Sequence, residues 1–198
     1  MKWYRITINE ENKLWRKYII FAERFLCNNN EIEICKSIEL KDYDTLNNLT
    51  IQALDHNGKI AADQKTYEKQ VLPDFANINK LFLINDDAYE NVILENIKDI
   101  KTFTIKLDGK FSNDYKLICF ENIIDCVNFT KSTRKEFETF SIMLLDKRKI
   151  PEGINGFFLP GWDWYGQYEN IVNEYLMGNL LKLKKASEFL IFKEINCE

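Results

Sequence analysis

Histidine is almost missing: His56 is the only one in 198 residues. Pairing a histidine with a serine or cysteine nucleophile, or building a zinc site on the common spacings, therefore has almost nothing to draw on. His56 itself lies in Asp55-His56-Asn57-Gly58, a turn-forming stretch where an exposed polar residue is expected anyway. The five cysteines, Cys27, Cys35, Cys119, Cys126 and Cys197, are odd in number and show no spacing of two between ligands, so free thiols in a reducing compartment are expected. No apolar run approaches the roughly 18 to 20 residues that cross a bilayer. The start, Met1-Lys2-Trp3-Tyr4-Arg5-Ile6, lacks the apolar core and small-residue cleavage site of a signal peptide. Together these predict a cytoplasmic chain with no membrane partner. An excess of base is also missing, since 27 basic residues face 31 acidic ones. The resulting charge of −4 is scattered and argues against general nucleic-acid binding. No glycine pattern cradles a phosphate and no nucleophile elbow occurs, so neither cofactor nor metal is expected.

What is present is apolar and aromatic. Hydrophobic residues make up 45 % and aromatic ones 14 % of the chain, ample for one core. The length predicts one compact domain over 1–198, with a division into an N-terminal subdomain over 1–70 and a second region over 72–195 as the alternative. The chain is organised around Leu81 to Leu107. Leu81 to Ile84 is too short for three helical turns and reads as a buried strand. Asn85 can cap a following helix, whose positive end Asp86, Asp87 and Glu90 would suit. Tyr89, Val92, Ile93, Asn96 and Ile97 then mark one helical face, and Thr102 to Leu107 alternates as a strand. Moved by 88 residues, the plan recurs: Ile171-Val172, a helix from Glu174 to Ala186 after Asn173, and a strand from Phe189 to Ile195. The spans match, 85 to 107 and 173 to 195, which either reflects duplication or is what any chain of mixed helices and strands contains. The fold class expected is α+β, with mixed, largely antiparallel sheets and two similar strand-helix-strand units around 81–107 and 170–195.

The remaining elements follow from patterning. Trp3 to Ile8 is an opening strand. Asn12 to Leu26 has a helical apolar face, although Tyr18 to Phe21 reads equally as strand, and Asn28-Asn29-Asn30 ends it. Ile32, Ile34, Ile38 and Leu40 alternate with Glu and Lys as a half-exposed strand, Asp42-Tyr43-Asp44 is an acidic turn, and Leu49 to Leu54 is a strand. Lys59 to Gln70 is a polar surface loop. Tyr115 to Phe120 and Ile123 to Phe129 read as paired strands, and Phe140 to Leu145 as another. Asp125 is a lone carboxylate in an apolar run, more consistent with a bond to backbone N–H groups or a cation than with catalysis.

Gly153 to Gly166 has four glycines and a proline, which forbid a regular helix. Trp162, Asp163, Trp164 and Tyr165 fall on its loop. Trp164 and Tyr165 read equally as partner anchors or as rings folded back onto the core, whereas Trp162 reads as core.

Pro73-Asp74-Phe75, Leu81 to Ile84 with its helix and the Thr102 to Leu107 strand, Ile123 to Val127 followed by Ser132, and Gly156-Phe157-Phe158 through Gly161-Trp162-Asp163 to the closing unit carry a resemblance. Over Leu72 to Ile195 the chain resembles the immunity proteins of bacterial polymorphic toxin systems, the family numbered eleven. Departures are Asn85-Asp86-Asp87 and Asn173-Glu174 where that family starts helices with Ser-Glu, and a glycine-free Ala186-Ser187-Glu188 before the last strand. The resemblance implies a non-enzymatic cytoplasmic inhibitor whose partner is the C-terminal domain of a cognate toxin. Partner-binding residues expected on this reading are Trp164, Tyr165, Asp163, Asp86 and Asp87, with Asp42 and Asp44 as further acids for a basic cleft. The alternatives are a small enzyme using Asp125 or Asp163 in a pocket between the halves, and a regulatory module with a peptide ligand.

Overall fold

The computed structural model describes residues 1–9, 11, 22–54, 75–78, 81–85, 97–107, 115–133, 143–160 and 168–198. It is an α+β structure of two sheets. Twelve strands are described: β1 (Trp3–Ile8), β2 (Ala22–Cys27), β3 (Asn30–Glu31), β4 (Leu49–Leu54), β5 (Phe75–Ile78), β6 (Leu81–Asn85), β7 (Ile100–Leu107), β8 (Tyr115–Phe120), β9 (Leu144–Leu145), β10 (Gly156–Pro160), β11 (Tyr168–Asn173) and β12 (Leu190–Cys197). The α-helices among the described residues are α1 (Ile34–Glu39), α2 (Tyr43–Asn47), α3 (Glu174–Leu180) and α4 (Ala186–Phe189). One sheet has the order β10-β11-β1-β12-β9 and the other β3-β2-β4-β7-β8-β6-β5.

The two sheets share a four-strand plan. β5-β6-β8-β7 matches β10-β11-β1-β12, so the N-terminal strand takes in one sheet the place that β8 takes in the other. Within each plan every pair is antiparallel, and the strands joined by the crossover run parallel with one strand inserted between them. The register agrees pair by pair. Asn85 lies opposite Tyr115 and Asn173 opposite Trp3; Tyr115 then faces Ile105 and Trp3 faces Ile195. This corrects the equal spans expected from sequence, because the residue equivalent to Ile195 is Ile105 and the second crossover is two residues longer. The difference is even, so the period of two keeps the same side chains facing inward: Ile105 and Ile195 are both buried.

Both faces of the five-stranded sheet carry apolar residues into a core. Ile6, Ile8, Phe158, Tyr168, Val172 and Leu190 join the large core that continues into Phe82, Ile84, Ile105 and Leu117 of the other sheet. The alternate residues Trp3, Phe157, Leu159, Ile171 and Ile195 form a second core with Cys126, Val127 and Leu145. Trp3 meets Phe157 edge to face at 5.2 Å, and Phe158 meets Phe120 likewise at 5.1 Å. Gly156 is dictated by this packing: a Cβ there would fall 2.4 Å from Cε1 of Phe120.

Several elements differ from the patterning. Ala22 to Leu26 is strand, paired along its length with β4. The hairpin to β3 turns at Asn28 and Asn29, both with positive φ (50° and 66°), which asparagine tolerates in a two-residue turn. Ile34 to Glu39 is helix, because an alternation of two also places Ile34 and Ile38 four apart on one helical face. Ile123 to Phe129 does not pair with β8. It touches the other sheet at single bridges, Ile123 to Phe158 and Val127 to Leu145. The helix expected to reach Ala186 stops at Leu180, and the chain restarts as α4 after Lys185 at φ 60°. The helix expected over 86–96, the 12–21 segment, the Asp55 to Gly58 turn, the 59–70 loop and residues 140–142 lie outside the described residues.

Candidate functional site

The α1–α2 corner is the best-defined exposed feature. Lys41 adopts φ 53°, and around it the N–H of Lys41 donates to the Ile38 carbonyl at 3.1 Å while that of Asp42 donates to Ser37 at 2.9 Å. These two bonds satisfy the last carbonyls of α1 in the way usually built around glycine. Asp42 then opens α2, with Oδ1 accepting from the Thr45 N–H at 3.1 Å and Oδ2 from the Thr45 hydroxyl at 2.7 Å. Those bonds hold its carboxyl below the usual carboxylate range. The acidic turn expected from sequence is therefore a capped helix start.

The corner is anchored from beneath. Tyr43 stacks on Phe103 of β7 at 5.8 Å, and the Lys101 ammonium sits 3.9 Å above the Tyr43 ring and 3.2 Å from Glu121. On the other side the Tyr168 hydroxyl donates to Glu39. Burial and that carboxylate push the Tyr168 phenol up. Leu40 is left 70 % exposed at the tip, between exposed Glu39, Asp42 and Asp44. Over 30–47 five exposed acids, Glu31, Glu33, Glu39, Asp42 and Asp44, face two exposed lysines, Lys36 and Lys41.

Sequence reasoning found Asp42 and Asp44 but missed Glu39, Leu40 and Tyr168. Asp42-Tyr43-Asp44-Thr45 was the available signal, an acid three residues before a hydroxyl at a helix start. Trp162, Asp163, Trp164, Tyr165, Asp86 and Asp87 all lie outside the described residues. Their flanks are described: Tyr168, which holds Glu39, follows Tyr165 by three residues, and Pro160 pairs with Tyr168 across the β10–β11 hairpin.

Asp125 is exposed, and its backbone carbonyl accepts from Lys149 Nζ at 3.3 Å. It is open to solvent, whereas an acid working between the halves would be covered. Of the two buried carboxylates among the described residues, Glu169 lies 3.9 Å from the Arg5 guanidinium, and the other is Asp99. Its Oδ1 accepts from Asn155 Nδ2 at 2.9 Å, and its Oδ2 from the backbone N–H groups of Gly156 at 2.8 Å and of Asn155. Asn155 Oδ1 in turn accepts from Asn173 Nδ2 at 3.1 Å, and Asn173 Oδ1 caps α3 through the Leu176 N–H at 2.9 Å. With three donors on one carboxylate this network is positioned to brace structure rather than to move protons.

Among the described residues, no group of three or more His, Cys, Asp or Glu is placed to hold a metal ion, and no helix is long and apolar enough to cross a membrane. No family model matches the chain, and no curated protein matches it.

Proposed function

We propose that the chain is an immunity protein, which binds the C-terminal domain of a cognate bacterial toxin and blocks its active site or substrate route. The observation that carries this reading is the α1–α2 corner. A leucine held in water on backbone fixed by both helix ends, ringed by acids, is suited to entering a small apolar pocket within a basic surface. Burying that side chain removes apolar area from water, and the acids speed encounter with a basic partner. The resemblance over Leu72 to Ile195 adds to it, since Gly156-Phe157-Phe158 and the closing strand-helix-strand unit are among the residues that carry it. Trp164 and Tyr165 are the proposed aromatic anchors, with Asp163, Asp86 and Asp87 as further acids.

Growth of cells that express the toxic domain encoded beside this gene tests the proposal. Co-expression of the chain restores growth, and Leu40→Asp weakens the rescue while leaving the fold intact. Equal toxicity with and without the chain would contradict it.

A further inference from the structure

The α1–α2 corner lies between strands of the seven-stranded sheet in the chain but is also held from the five-stranded one. α1 is six residues long and its N-cap, Glu33, makes no side-chain cap bond, so it lacks both the length and the cap that let a helix stand by itself. Ile34 and Ile38 bury one face of it. Its last residue, Glu39, is exposed and sets a carboxylate at the end of a helix where negative charge is disfavoured. Helix stability therefore does not call for Glu39. What Glu39 meets is the hydroxyl of Tyr168, 129 positions away at the start of β11.

Tyr168 is placed to hold that hydroxyl still. The residue is 3 % exposed, its ring lies 5.3 Å from that of Phe158 at 31°, and its backbone pairs with Pro160. A ring packed in this way gives its hydroxyl one position, so the bond to Glu39 pins α1 at the residue before Leu40. The far side of the corner is pinned to the seven-stranded sheet, where Tyr43 stacks on Phe103. Leu40 and Lys41 stand between the two pins.

We propose that Tyr168 is a positioning residue of the corner, which through Glu39 lends α1 the rigidity that six residues cannot supply and so fixes where Leu40 stands. Its functional meaning rests on the corner being the binding site proposed above. By linkage, whatever is held at Leu40 also steadies the start of β11.

Amide hydrogen exchange in the free protein, followed by NMR, tests this. The Leu40 N–H donates to the Lys36 carbonyl at 2.9 Å, that of Lys41 to Ile38 at 3.1 Å and that of Asp42 to Ser37 at 2.9 Å, so these three amides report local opening of the corner. Tyr168→Phe removes the hydroxyl and keeps the ring. It speeds exchange at the three amides by about tenfold or more, while the amides of β4 and β8 keep their rates. Glu39→Ala does the same, whereas Glu39→Gln, which keeps an acceptor for the hydroxyl, changes little. Combining Tyr168→Phe with Glu39→Ala adds nothing to either change alone. Unchanged exchange at the three amides in Tyr168→Phe would overturn the inference. So would a rise shared by β4 and β8, which marks a general loss of stability, or one that Glu39→Ala fails to reproduce or Glu39→Gln matches in full. No partner enters the measurement, so the two readings fail separately. A chain that neutralises a toxin without this response keeps the proposed function and loses the tether, and a chain that binds no toxin still shows the response if the tether is real.

Discussion

At the scale of single residues, the structure depends on a few polar and small side chains whose roles are fixed by what surrounds them. Asp99 is 7 % exposed and accepts three N–H bonds. Asp99→Ala leaves two backbone donors unpaired and should lower stability by about 2–3 kcal/mol, read as a shift of the urea midpoint. Gly156→Ala forces the buried Phe120 ring aside at a cost of about 1–3 kcal/mol, and Phe120→Leu in the same chain should recover some of it. Asp42 carries a pH signature. Its folded carboxyl titrates below the ordinary 3.8 because it accepts from Thr45. Its contribution is therefore fully present above that value and lost as pH falls through the lowered one. Asp42→Asn keeps an acceptor for the cap and removes this component of the acid dependence, which urea titrations at successive pH values would show. Asp42 was visible in the sequence as a turn-forming acid. Asp99 was not, because its donors come from residues 56 and 57 positions away.

At the scale of elements, legibility followed the length and the uniqueness of the pattern. β1, β4, β6, β7 and β8 were readable because each is apolar or alternating over at least four residues bounded by turn residues. α1 was misread because Ile34 and Ile38 satisfy both periods and six residues do not decide between them. α3 was overextended because Leu183 and Ala186 are buried and continue the apolar pattern, whereas the helix ends at Leu180 in tighter turns, the Lys182 N–H donating to Asn179 and that of Leu183 to Leu180, before Lys185 adopts a positive φ. The α1–α2 corner depends on another left-handed lysine. Lys41→Gly should raise stability by up to about 1 kcal/mol, seen as a higher melting midpoint, because glycine adopts φ 53° without the Cβ penalty. It leaves Leu40 and the acids in place, so partner binding should be unaltered.

At the scale of the whole molecule, two sheets of matching strand order are joined through one continuous core, and the exposed chemistry lies at their margins. The flanking strands of both units were legible, as was the helix of the second, but the insertion of β1 into the second sheet was not, since no local pattern announces which strand pairs across 170 residues. The thiols report on the same architecture. Cys119 and Cys126 are buried, and burial pushes the Cys126 thiol up to about 12. Cys27, Cys35 and Cys197 are half-buried. A disulfide reagent should therefore modify no more than those three in the native protein and all five after unfolding. On the proposed reading, the binding margin is the one holding Leu40, Glu39, Asp42 and Asp44, beside the β10–β11 hairpin, whose connecting sequence contains Trp164 and Tyr165. Calorimetric titration of the proposed partner, the C-terminal domain of a candidate cognate toxin, with the unaltered chain, with Leu40→Asp and with the Trp164→Ala, Tyr165→Ala double variant is the direct measurement. A dissociation constant below about 1 μM is expected for the unaltered chain and a loss of several kcal/mol in the double variant, with Leu40→Asp also weakened. No heat of binding, or the same affinity in all three proteins, would contradict it.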